Sequence, residues 1–205
     1  KNKKIKVGII GVGNCAKSLV EGVQYYAENN KAETGVMKTD IGGYLAGDVE
    51  FVVGYDIDER KVHLPLGKAL QQKPNSAWSI VDTIESNAPV YESPVIDGYA
   101  GLMDNYPEEN RFLVSEKLRN STDMNRVSWT NKLERRWKDN IIKTLKALDV
   151  EILINYLPVG SQKTTEFWAE ICLETGISFV NCIPVFIASD PAWEQRFIDA
   201  GIPLI

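Results

Sequence analysis

An apolar run that ends in two glycines and passes at once into a helical pattern constrains this chain more than any other feature. Residues 4–10 read as a short β-branched strand, and Ala16, Leu19, Val20 and Val23 then recur at helical spacing. Gly11 and Gly13 therefore stand at a strand-to-helix junction, with Ala16 as the third small position of a GxGxxA pattern. In a dinucleotide-binding turn the first glycine permits the sharp bend, and the second leaves room for a pyrophosphate to approach the backbone. The free N–H groups of the new helix then face the anion. The same residues also suit an ordinary strand-to-helix bend, and both readings stay open at this point.

A second apolar run, residues 49–55, closes on Asp56. Residues 57–62 are predicted to begin a helix. An acid ending the second strand of a dinucleotide fold accepts hydrogen bonds from the adenosine ribose and repels a 2′-phosphate, so Asp56 points to NAD and away from NADP. Its alternative role is as a helix cap. Asp56 lies well beyond the usual separation of about 20 residues from the glycines, because residues 31–48 form a polar, Gly-rich insertion.

The rest of the chain alternates in the same way after an irregular stretch. Between residues 71 and 131, Pro74, Pro89, Pro94 and Pro107 interrupt any period, and residues 90–93 are the best strand candidate. Residues 132–148 carry an apolar stripe (Leu133, Trp137, Ile141, Ile142, Leu145, Leu148), with Arg135, Arg136 and Lys138 on a solvated face. A strand at 151–156, a helix at 162–174, a strand at 177–182 and a helix at 191–200 capped by Asp190 follow, and residues 203–205 look like a further strand. This alternation predicts an α/β, Rossmann-like, doubly wound and mostly parallel sheet with helices on both faces. The loops 157–161 and 183–190 fall at strand C-terminal ends, where ligands of such sheets bind. Pro184 and Phe186 either pack one loop on another or touch a cofactor.

Composition narrows the function classes. With 205 residues, 44% of them hydrophobic, the chain can bury one sizeable core. A net charge of −5 disfavours nucleic acid or an anionic membrane as partner. No apolar run reaches the roughly 20 residues of a membrane span, so a soluble, cytoplasmic protein is expected. Cys15, Cys172 and Cys182 lack metal-ligand spacing and are expected to be free thiols, with no metal site. Cys15 at a helix start is either a small buried thiol or a reactive one. His63, the single histidine, falls on a predicted helix and is given no catalytic role.

The strings GVGNCAKSLVEGVQYY, DVEFVVGYDID with inserted GVM and GGY elements ahead of it, SPVIDG, NYLPVGS and FVNCIPVFIASDPAW together resemble myo-inositol-1-phosphate synthase of the prokaryotic type. That family carries the same extra segment before its second strand, whereas residues 99–131 align poorly. The resemblance implies conversion of D-glucose 6-phosphate to an inositol phosphate by internal oxidation, aldol cyclisation and reduction, with NAD neither made nor consumed. It implies a cytoplasmic homo-oligomer, a tetramer, serving inositol and phospholipid biosynthesis. Position by position it assigns Gly11, Val12, Gly13, Asn14 and Cys15 to the pyrophosphate turn, Asp56 to the ribose, and Leu157, Pro158, Val159 and Asn181 to the cofactor's other flank. Residues 1–205 would form the NAD-binding domain, with 31–48 and 73–130 as insertions. The family's catalytic lysines and its tetramerisation domain are expected beyond Ile205, so no catalytic residue is assigned within the chain. An NAD-dependent dehydrogenase of a small substrate and a non-catalytic NAD-binding module are the alternatives.

Overall fold

The computed structural model describes residues 4–29, 34–99, 101–116, 118 and 131–205, without the side chains of 131–133. Residues 1–3, 30–33, 100, 117 and 119–130 lie outside the described set, as does the side chain of Leu133 of the expected stripe.

Five strands form one sheet: β1 (Ile5–Ile10), β2 (Val49–Asp56), β3 (Val90–Glu92), β4 (Ile152–Asn155) and β5 (Ser178–Asn181). Their order is β3-β2-β1-β4-β5, and every pairing is parallel. Residues 203–205 extend the pattern beside β5, where Phe179 N–H donates to the Pro203 carbonyl (3.0 Å) and Asn181 N–H to that of Ile205 (2.7 Å).

Among the described residues the α-helices that frame the sheet are α1 (Asn14–Glu28), α2 (Leu66–Ala69), α3 (Asn131–Ala147), α4 (Gln162–Thr175) and α5 (Pro191–Ala200). Parallel strands need crossovers, and burial on both faces explains why the strands read as near-continuous apolar runs. Ile9 sits with Ala16 and Val20 of α1 and Leu66 and Ala69 of α2. Its neighbour Ile10 sits with Ile141 and Leu145 of α3 and Phe167, Trp168 and Ile171 of α4. The two-residue period of β1 thus feeds two cores, each fully buried Ile, Leu or Phe contributing about 1.5–3 kcal/mol. On the second face Tyr55 packs against Trp168 with ring centroids 4.8 Å apart.

Two expectations are corrected. Residues 57–62 form turns instead of a helix, because the Asp58 carboxylate accepts from Arg60 N–H (3.0 Å) and Leu113 N–H (3.2 Å). Short acidic side chains that bond the nearby backbone compete with helix in this way. His63 accordingly lies in a turn, with φ 67° and its N–H donating to Val90 O at 2.8 Å.

The outer helices are clamped at one point. Arg196 of α5 donates from Nη1 and Nη2 to Oε1 and Oε2 of Glu170 on α4 at 2.7 and 2.8 Å, and its guanidinium lies 4.5 Å from the Trp193 ring centroid. Arg196 holds the Glu170 carboxyl below the usual carboxylate range against the opposing effect of burial. A depressed folded-state pKa stabilises above the unfolded value of about 4.3 and loses that contribution as pH falls through the folded value. The melting temperatures of the wild type and Glu170→Gln should therefore differ at neutral pH and converge in acid. A gap that persisted at low pH would assign the contact to packing alone.

Candidate dinucleotide site

In chain order the strands run outward from β1 to β3 and then cross back over β1 to β4, which puts the topological switch point between β1 and β4. Ligands of open α/β sheets bind at that crevice, beyond the strand C-terminal ends. Here Gly11, Gly13, Asp56, Tyr156, Leu157 and Pro158 line a cavity of about 120 Å³, with Ile57, Ser93 and Phe112 on its β2 side.

The two glycines differ in what they answer to. Gly11 has φ 87°, and a Cβ there would lie 2.7 Å from the Tyr156 carbonyl oxygen, so the fold itself requires glycine. Gly13, the residue before α1, has φ −97° and ψ −161°, extended backbone open to any residue, and a Cβ there would meet no heavy atom within 4 Å. No side chain caps the start of α1. Its first N–H groups therefore remain available to an anion.

Asp56 is 6% exposed and ties the turn to the end of β2. Its Oδ2 accepts from Val12 N–H (2.8 Å) and its Oδ1 from Ile57 N–H (2.8 Å) and Asp58 N–H (2.9 Å). No helix follows Asp56, so its carboxylate caps a turn and not a helix. Val12 has both of its backbone polar groups engaged. Its side chain is in the core, and its carbonyl accepts from Lys61 Nζ (2.9 Å) and Asn75 Nδ2 (3.1 Å).

Asn14 reaches sideways. Its Oδ1 accepts from the N–H groups of Ser76 and Ala77, both at 2.8 Å, which leaves its amide NH₂ as a donor at the helix start. Three further polar side chains continue that stripe of α1. Lys17 Nζ donates to Ala77 O (2.6 Å), Glu21 Oε2 accepts from Ile80 N–H (3.1 Å), and Gln24 bonds both Thr83 O (2.9 Å) and Glu85 N–H (2.8 Å). The sequence reading missed this strap. Its signal is present, since positions 14, 17, 21 and 24 recur with the helical period of the apolar stripe.

On the other flank, Leu157 is mostly buried and Val159 is 77% exposed, outside the cavity lining. Asn181 is turned to structural use: its Oδ1 accepts from Asn155 Nδ2 (2.9 Å), and its Nδ2 donates to the carbonyls of Val185 (2.7 Å) and Ile183 (3.2 Å). Asn155, its fully buried cross-strand neighbour, accepts from Leu157 N–H (3.1 Å) and so shapes the same loop. That pair was legible as Asn closing two successive strands and went unread.

Cys15 and Cys182 are exposed free thiols and Cys172 a buried one. Burial, with lesser effects from Cys182 and Cys15, pushes the Tyr156 hydroxyl up to about 12. Burial also raises the Cys182 thiol, against a hydrogen bond with Tyr156. Among the described residues no group of three or more His, Cys, Asp or Glu is arranged to hold a metal ion, and no helix is long and apolar enough to cross a membrane.

No family model matches the chain. The inositol-3-phosphate synthase of Mycolicibacterium smegmatis is 36% identical over 204 residues, covering 98% of this chain and 50% of that protein. That of Corynebacterium glutamicum is 36% identical over 203 residues, covering 98% and 49%. Two solved structures share the fold. Ari2 superposes with TM-score 0.74 at 23% identity over 99% of this chain and 52% of its own. A myo-inositol-1-phosphate synthase-related protein from Thermotoga maritima superposes with TM-score 0.72 at 20% identity, over 98% and 53%. The chain spans about half the length of the curated relatives it matches. Aligned to them over nearly all of its own residues, it belongs to the inositol-3-phosphate synthase family.

Proposed function

We propose that residues 1–205 are the N-terminal, NAD-binding portion, with 31–48 and 73–130 as insertions, of a cytoplasmic, homotetrameric enzyme converting D-glucose 6-phosphate to 1D-myo-inositol 3-phosphate. The family carries the reaction. The cofactor rests on Gly13, where neither backbone conformation nor neighbouring atoms demand glycine, although glycine costs conformational entropy. Open space at the uncapped start of a helix is what a pyrophosphate uses.

When bound, NAD supplies a reversible hydride acceptor, so the sugar can be oxidised, cyclised and reduced with no net redox change. This chain's residues bind and orient. Gly13, Asn14 and Cys15 offer N–H donors, with the Asn14 amide beside them. Leu157, Pro158 and Val159 form the opposite rim, held by Asn155 and Asn181. Asp56 has about four lone-pair sites and uses three, leaving one for a ribose hydroxyl and a negative charge against a 2′-phosphate.

Gly13→Val should unfold close to the wild type yet lose NAD binding by calorimetry, whereas Gly11→Ala should lose stability by at least about 1 kcal/mol, the cost of a side chain at positive φ. Normal NAD binding by Gly13→Val would return the glycines to a plain bend.

NAD should bind this chain more tightly than NADP, and Asp56→Asn should weaken NAD by about 1–2 kcal/mol, as expected for losing a hydrogen bond to a charged group, while narrowing the difference between the two. Equal affinities in the wild type would remove Asp56 from cofactor selection. For the polypeptide encoded by the whole gene, glucose 6-phosphate should cyclise without NADH accumulating. Stoichiometric NADH would identify a simple dehydrogenase.

A further inference from the structure

Lys61 is fully buried, which is uncommon for a lysine. Removing an ammonium from water carries a large desolvation cost unless an opposite charge is close, and its ion-pair partner, Asp56 Oδ2, is 3.9 Å away and already accepts from Val12 N–H. Burial pushes the Lys61 pKa down, with Asp56 and then Asp58 drawing it back up and Arg60 opposing them. The short contacts of the ammonium are to the Val12 carbonyl and to Asn75 Oδ1, both at 2.9 Å, and Asn75 Nδ2 reaches the same carbonyl at 3.1 Å. Two donors from beneath therefore hold one peptide oxygen of the glycine turn.

The consequence follows from peptide geometry. A trans peptide is planar, with its C=O and N–H directed oppositely. A Val12 carbonyl held down toward Lys61 and Asn75 turns the Gly13 N–H the other way, and that N–H has no partner among the described residues. Val12 lies between two glycines, and Gly13 can take positive φ at little cost. The glycine that clears space for a pyrophosphate thus also frees its own peptide to flip.

We propose that Lys61 is a positioning residue for the dinucleotide, which with Asn75 fixes the Val12–Gly13 peptide so that the Gly13 N–H faces the pyrophosphate. This rests on the NAD reading above. Lys61 touches the turn from the core side and acts through the Val12 carbonyl and not by contact with the cofactor. Asn75 also joins the turn to the strap along α1, so the order of that strap is coupled to the anion site.

The test is amide-resolved NMR and calorimetry on the 205-residue chain, comparing the wild type with Lys61→Met, Lys61→Arg and Asn75→Ala, each titrated with NAD and with ADP-ribose. In the wild type the Gly13 amide resonance should move downfield as either ligand binds. Lys61→Met should bind both at least tenfold more weakly, and its Gly13 amide should already be displaced without ligand while amides of β4 and β5 stay put. Asn75→Ala, which deletes no charge, should show a smaller loss in the same direction, and it carries the test if Lys61→Met does not fold. Lys61→Arg should retain part of the affinity. Variants that bind within twofold of the wild type with an unmoved Gly13 amide would overturn the proposal and leave the NAD reading standing. A wild type that binds neither ligand would overturn both.

Discussion

A single carboxylate holds the two halves of the candidate site in register. Asp56 closes β2, yet its Oδ2 accepts the N–H of Val12 from the turn beyond β1, and its Oδ1 gathers the next two N–H groups of its own chain. These bonds fix where β1 stops and where the backbone after β2 turns aside. A buried carboxylate can do this at modest cost because three N–H donors replace its water. The turn after β1 is held from both sides, by the Asp56 carboxylate on the Val12 N–H and by the Lys61 ammonium on the Val12 carbonyl, and α1 begins from that fixed point.

The strap along α1 shows how a segment without hydrophobic period can still be ordered. Residues 75–85 carry no strand or helix pattern, and Trp78 within them is 92% exposed. Several of their backbone groups are satisfied by side chains of a neighbouring helix: Asn14, Lys17, Glu21 and Gln24 each bond strap N–H or C=O groups. Lys17 and Glu21 are buried by this arrangement and lie 3.9 Å apart. Backbone satisfaction is a full accounting requirement, and here one stripe of polar side chains takes the place of a β-ladder.

What could be read from the sequence follows from this distinction. The strands β1, β2, β4 and β5, the helices α1, α4 and α5 and the glycine turn were legible because each is specified by local period, cap or turn chemistry. Asp190 was read as the cap of α5, and its Oδ1 accepts from Ala192 and Trp193 N–H at 2.8 and 3.2 Å. The helix expected after Asp56 failed because Asp58 reaches a segment far along the chain, at Leu113, and local propensity carries no information about that partner. The same holds for Lys61 and Asn75, whose roles exist only once residue 12 lies beside residues 61 and 75. Asn181 was assigned to the cofactor's flank by the family resemblance alone, and its engagement with Asn155 and the 183–185 backbone needed the register of β4 and β5.

The connection between α1 and β2 lies at the far end of the sheet from the candidate site. Residues 34–48 leave the C-terminal end of α1 and return at the start of β2, where Tyr26 Oη donates to Thr34 O at 2.7 Å and Lys4 Nζ reaches Gly47 O. They build a cavity of about 430 Å³ with Ile5 and Val49, which lie at the N-terminal ends of β1 and β2. The glycine turn and Asp56 occupy the opposite ends of those strands. The β1–β2 pairing shifts register once, between Val7 and Gly8, and beyond that irregularity Ile10 sits opposite Tyr55, with Asp56 next in line to meet the turn. The separation between glycine and acid counted along the chain is therefore a property of the connection. The geometry of the site depends on the register of β1 against β2 at their C-terminal ends, where Ile10 pairs with Tyr55.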